Sequence, residues 1–307
     1  MPDLILHHYA MSPFAEKVRA MMGYTGLSWS GVLHPPQPPR KKLVPLAGEY
    51  RKIPVAQIGA DVFCDTRLIT REIARLSGQP RLALAGCDDE VRAFVARTDL
   101  EVFLACVISA SSPKLLFRFW RSTSTLTVIR FLRDRIQMGR TATVRAASPK
   151  RAPGVVKAHL EDLESRLANQ PFLFGDTPCI ADFSAWHGLW FIREAAGSNL
   201  TEPYARVNAW MDRMKAFGHG PNQPMKGKAA WAVARDATPR ELPKSEDSPL
   251  LGKPVTVTPS DYGQVPVSGT LVAQLADSWV LAREHAAIGT VHVHLPRDGF
   301  TLAPAQA

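Results

Sequence analysis

The chain has 307 residues, of which 46% are apolar and 21% charged, and a formal net charge of +9. That is the make-up of an ordinary soluble globular protein with room for two or three domains. No stretch approaches the roughly 18 to 20 apolar residues of a membrane span. The four cysteines, Cys64, Cys87, Cys106 and Cys179, form no CxxC pair, which argues against a structural zinc site and against a disulfide framework. The first residues lack the basic, apolar, small-residue order of a signal peptide, so a cytoplasmic location is expected.

In chain order, Leu4 to His8 reads as a strand. Pro13 to Gly23 reads as a helix with Phe14, Val18, Met21 and Met22 on one face and Gly23 as its stop. Ser28 to Leu33 alternates as a second strand, and the proline run over residues 35 to 39 reads as an exposed, stiff loop. Val55 to Ile58 and Asp61 to Cys64 follow as strands around a Gly59-Ala60 turn. Asp65 begins a helix with Leu68, Ile69, Ile73 and Leu76 on its apolar face, closed by Gly78 and Pro80.

Residues 84 to 234 contain no convincing strand. Five helices are expected there, at Val91 to Ser109, Ser122 to Met138, Gly154 to Leu167, Ala181 to Ala195 and Pro203 to Phe217. Residues 235 to 250, rich in proline and charge, read as a linker. Residues 251 to 307 carry five short strand signals, starting at Pro254, Thr270, Trp279, Thr290 and Phe300, which suggest a small antiparallel barrel or a sheet added to the helices. The expected fold is thus an α/β unit over residues 1 to 82, an all-α domain over 84 to 234, and a small all-β extension.

The positive charge is concentrated. Between Lys114 and Arg151 ten basic residues face one acid, Asp134. Such a block suits nucleic acid, an anionic membrane or an acidic ligand. No nucleic-acid motif accompanies it, so a solvated face or anion attraction is expected, with neither nucleic acid nor membrane as partner.

The segment Ser12-Pro13-Phe14-Ala15-Glu16-Lys17-Val18-Arg19 resembles the active-site segment of the glutathione transferase superfamily. Ile53-Pro54-Val55 resembles that family's cis-proline turn. Asp65-Thr66 stands where the family has Glu-Ser or Asp-Ser, and Gly175 to Phe183, with Cys179 and Asp182, resembles its helix-capping motif. The resemblance covers about residues 1 to 220 and implies a thioredoxin-like domain followed by a helical domain. It also implies glutathione as co-substrate, a hydrophobic electrophile as second substrate, and a homodimer. No metal is implied. His285, His292 and His294 in the tail lack the cysteines or clustered carboxylates of a zinc site.

The chemistry suits those residues. A thiol with a pKa of about 8.5 is only slightly ionised near neutral pH, and the thiolate is the nucleophile. A helix N-terminus lowers that pKa through free N–H groups and partial positive charge. In the functional reading Ser12 donates its hydroxyl hydrogen to the thiolate; in the plain one it only caps the helix. The two are compatible. Tyr9 is the alternative activator. Serine cannot form a disulfide, so conjugation fits better than thiol oxidoreduction. A cis bond before Pro54 would turn the Ile53 backbone toward an extended peptide; a trans proline at a strand start is the plain alternative.

The resemblance gives Asp65 and Thr66 the γ-glutamyl end, although Asp65 also reads as a simple N-cap. Arg51 and Lys52 are placed to meet the glycyl carboxylate, or are simply solvated. Phe103, Phe117, Trp120, Trp186 and Trp190 are candidate walls for the electrophile, or core. The competing function is a non-catalytic binding protein that keeps the fold.

Overall fold

Residues 4–121, 124–143 and 147–305 are described by the computed structural model. β1 (Leu4–His8) and β2 (Trp29–Leu33) pair in parallel around α1 (Pro13–Thr25). After the single turn α2 (Val44–Ala47), β3 (Val55–Ile58) and β4 (Asp61–Cys64) form a hairpin whose first strand lies antiparallel to β1, and α3 (Thr66–Ser77) follows. This is the thioredoxin-like βαβ-ββα unit.

Its boundaries have local causes. Pro13 opens α1 behind Ser12, whose hydroxyl accepts from the Ala15 N–H at 3.2 Å. Gly23 does not stop α1, which runs to Thr25 and ends at Gly26 with φ 68°. Gly23 meets a different need: a Cβ there would lie 2.3 Å from the Gly218 carbonyl oxygen, so two backbones pass in direct contact. The proline loop is exposed at Pro35, Pro38 and Pro39, as expected, but it is anchored: Pro36 and Gln37 are buried, as are His34 and Arg40 at its ends. Arg40 donates to the carbonyls of Pro35 at 3.0 Å and Pro36 at 2.8 Å; its fork thus satisfies acceptors in a loop too proline-rich to supply N–H partners.

The helical domain begins with α4 (Asp89–Arg97), which runs through a π turn at Thr98–Val102 into α5 (Phe103–Ala110). Then come α6 (Pro113–Arg121), α7 (Thr125–Thr141), α8 (Ala152–Arg166), α9 (Ile180–Trp190) and α10 (Ala205–Ala216). Ser122 and Thr123, the expected start of α7, lie outside the described residues. α6 and α11 (Gly227–Arg235) were not foreseen, nor was the three-residue strand β5 (Asn222–Pro224). β5 carries no strand signature. It exists because the outer edge of β2 is open and accepts it in parallel, with Met225 N–H donating to the Gly31 carbonyl at 2.8 Å.

The last residues form β6 (Pro254–Pro259), β7 (Val267–Gln274), β8 (Ser278–His285), β9 (Gly289–Pro296) and β10 (Phe300–Pro304). They build neither a barrel nor a sheet on the helices. β9 pairs in parallel with β4, giving one ten-stranded sheet of order β10-β6-β7-β8-β9-β4-β3-β1-β2-β5. The reason is the free edge of β4. There Asp61 accepts from His294 Nε2 at 2.7 Å, and the His294 ring stacks on Phe63 at 4.6 Å. One apolar cluster joins Leu46, Val55 and Val62 to Val257, Leu271 and Val293. Arg235 ends α11, and residues 236–250 form no helix or strand but are pinned: Arg240 N–H donates to Asp61 at 2.9 Å, and its guanidinium to Glu72 at 3.0 Å.

Asp61 therefore holds two elements of the tail to the first unit. Asp61→Ala should lower stability by about 3 kcal/mol, because it leaves a buried imidazole N–H and a backbone N–H unpaired. Urea unfolding with an unchanged m-value checks this, and a loss below about 1 kcal/mol contradicts it.

Candidate functional site

Strand register assembles the site. His7 lies opposite Val55, and Val55 opposite Cys64. The residues just beyond this row are the Tyr9–Ser12 turn, Ile53-Pro54 and Asp65-Thr66, so three separate segments share one end of the sheet.

The helix that carries Ser12 is fixed against the helical domain by the rest of its motif. Phe14 packs between Phe103 and His187, 4.6 Å from each ring. The buried Lys17 ammonium donates to Asp99 at 2.7 Å and to Ser184 at 2.8 Å. Arg19 binds Glu16 at 2.8 Å and donates to His8 Nδ1 at 3.0 Å. Arginine only donates, so His8 Nδ1 accepts; burial and the Arg19 charge lower the His8 pKa to about 3 and keep the ring neutral. Burial alone would push the Glu16 carboxyl up, but His219 and Arg19 outweigh it and hold it below its ordinary value.

Ser12 is only 2% exposed. Its oxygen accepts from Ala15, while its hydrogen has no acceptor and the Phe14 N–H no partner among the described residues. A free O–H and a free N–H thus share the positive end of α1. Tyr9 is half-buried and packs against the cluster of Leu43, Tyr50 and the tail strands.

The Ile53–Pro54 peptide is cis, and Ile53 has no backbone hydrogen bond among the described residues. Asp65 has φ 74°, a left-handed conformation uncommon for any residue but glycine. Such strain persists where the surroundings over-determine it, often at ligand clamps. Its Oδ1 accepts from the Arg67 N–H and Nε. Burial would raise its pKa, but Arg67 and Lys52 hold it below the usual carboxylate range. The Thr66 amide and hydroxyl have no partner among the described residues. Arg67 is held in turn by Asp298 of the β9–β10 turn, at 2.6 Å.

Arg51 and Lys52 are not solvated. Arg51 pairs with Asp134 of α7. Lys52 Nζ lies 2.7 Å and 2.8 Å from the two Asp261 oxygens and 4.4 Å from the centre of the Tyr262 ring. Thr143 N–H ties the same loop by donating to the Asp261 carbonyl at 2.9 Å. The 209 positions between Asp261 and Lys52 leave no local signal for the pair.

The five aromatics expected as one wall are dispersed. Phe103 is stacked on His187 at 5.1 Å, and Phe117 and Trp120 stand exposed on α6. Trp186 and Trp190 line a cavity of about 550 Å³ between α1 and the β2 edge, with Trp29, Met214 and His219; it reaches Ala10, two residues before Ser12. No group of three or more His, Cys, Asp or Glu side chains placed to hold a metal occurs among the described residues.

Residues 6–81 match the family model "Glutathione S-transferase, N-terminal domain", and residues 144–213 match "Glutathione S-transferase, C-terminal domain". No curated protein matches the chain. Among solved structures, a GST-like protein from Pseudomonas syringae is 32% identical over 99% of this chain and 100% of its own, with a TM-score of 0.77. Two further glutathione transferases align over about 70% of this chain. One, termed glutathione S-transferase III in apo form, is 17% identical over 92% of its own length, with a TM-score of 0.48; the other, from Rhodospirillum rubrum, is 21% identical over 69% of this chain and 88% of its own, with a TM-score of 0.46. The chain belongs to the glutathione S-transferase family.

Proposed function

We propose that the protein binds glutathione at this end of the sheet and activates its thiol for attack on a hydrophobic electrophile. The observation that carries the reading is Ser12, whose oxygen is engaged by Ala15 while its hydrogen is free, beside the free Phe14 N–H. A sulfur at that point receives two donors and the helix field, all of which favour the thiolate over the thiol. The free Ile53 backbone is the partner for the cysteinyl amide. The Thr66 N–H and hydroxyl take the γ-glutamyl carboxylate, and Asp65 takes its ammonium. The cavity beside Ala10, walled by Trp186 and Trp190, takes the electrophile. The same reading makes the chain a cytoplasmic homodimer; its four free, buried thiols are compatible with a reducing compartment.

A specific observation favours a second reading, a glutathione-fold protein without catalysis: Lys52 and Arg51 are already engaged by internal carboxylates. Calorimetric titration with glutathione addresses both. Asp65→Asn keeps a capping oxygen and tolerates positive φ but removes the charge. It should weaken binding about tenfold, or roughly 1.4 kcal/mol. Asp261→Asn, which frees the Lys52 charge for the glycyl carboxylate, should strengthen it. No heat with the wild type, or no change in either variant, contradicts the proposed site. Binding without turnover of a chromogenic electrophile supports the second reading.

A further inference from the structure

Of the nine large apolar side chains that stand exposed among the described residues, seven lie on α6 and α7. Both family-model matches leave this hairpin out, ending at residue 81 and resuming at 144. Leu116, Phe117 and Trp120 are 42%, 53% and 46% exposed on α6; Ile129, Leu132 and Ile136 are 44%, 42% and 57% exposed on α7. The three on α7 follow a helical repeat and form one stripe.

The charge on the hairpin is of one sign. Lys114, Arg121, Arg130, Arg133 and Arg140 are all exposed. Arg133 and Arg140 lie four residues after Ile129 and Ile136, beside the stripe. The one acid, Asp134, turns inward to Arg51 and Arg135. Phe119 packs on Phe131 at 4.9 Å, so the two helices present their free faces as a unit.

We infer that the α6–α7 hairpin is a docking surface for anionic lipid, lying flat in the headgroup region of a membrane. An apolar stripe bordered by arginines, with aromatic residues at its end, is the chemistry that such an interface recognises. A second copy of this chain is disfavoured, because two such faces would bring arginine rows together. The hairpin is placed on the bilayer and not across it: α7 has 17 residues, about 25 Å, no single helix among the described residues is long and apolar enough to span, and α6 reaches that length and apolarity only together with the helix before it, across an 85° bend. Sequence composition alone predicts no membrane partner for this basic block; surface docking needs no spanning segment, only the apolar stripe that the structure exposes beside the charge.

Co-sedimentation of the full chain with vesicles tests this, comparing pure phosphatidylcholine with phosphatidylcholine containing phosphatidylglycerol. The expected result is retention by the anionic vesicles at least about tenfold above the neutral ones, weakened by high salt. The exposed double change Ile129→Glu with Ile136→Glu should lose it, as should Arg130, Arg133 and Arg140 all changed to Glu. Both should keep the wild-type circular dichroism and thermal midpoint. Three results overturn the inference. One is no retention, or equal retention by both vesicle types. Another is retention unchanged in folded variants. The third is absent vesicle binding alongside RNA retention or a concentration-dependent dimer that the isoleucine changes dissociate.

Discussion

Asp182→Ala is expected to cost about 3 to 5 kcal/mol of stability, a large part of the roughly 5 to 15 kcal/mol that holds a domain folded. The side chain is fully buried at the start of α9. One oxygen accepts from the Leu173 N–H at 2.9 Å and from Trp210 Nε1 at 3.0 Å; the other accepts from the Cys179 N–H at 3.0 Å. Removing the carboxylate strands three donors in a dry site and uncaps the central helix of the domain. Asp182→Asn should cost less, since one oxygen remains as an acceptor. Urea midpoints at constant m check the order, and an alanine variant within about 1 kcal/mol of wild type refutes it.

Ser12→Ala is expected to lower glutathione-dependent kcat about a hundredfold, or roughly 2.7 kcal/mol, the size of losing one pre-aimed donor to a developing or resident anion. The same change removes an N-cap at a cost of about 1 kcal/mol, which alone leaves the protein folded. Ser12→Thr separates the two effects: it keeps cap and donor, and should stay within about tenfold of wild type. The helix tip itself should not move in either variant, because α1 is held by Phe14 and Lys17 against α5 and α9. A Ser12→Ala enzyme as fast as wild type would pass the role to the Phe14 amide or to Tyr9.

The first unit was legible because its signals are local. A proline at the start of α1, a two-residue turn between β3 and β4, and Asp65 before an apolar helical repeat all act within a few residues. The segments that meet at this end of the sheet were legible for the same reason, since each is a short motif at an element boundary. Pairing partners were not. The tail strands show their alternation, with Val255 and Val257 buried. Nothing local says that β9 will join β4, a contact between residues more than 200 positions apart. The Lys52–Asp261 pair is hidden in the same way. β5 escaped notice because an edge strand can be made of Asn, Gln and Pro when its neighbour supplies the groups to pair. α6 follows two serines, opens on Pro113 and buries no continuous face, so its nine residues lack the amphipathic partner that marks a core helix.

The most direct test is the ionisation of bound glutathione, followed by the ultraviolet absorbance of its thiolate against pH. The protein should hold the sulfur anionic about two pH units below its pKa in free solution, and Ser12→Ala should return most of that shift. A bound thiol that titrates as it does in water, or one lowered equally with and without the Ser12 hydroxyl, would contradict the account.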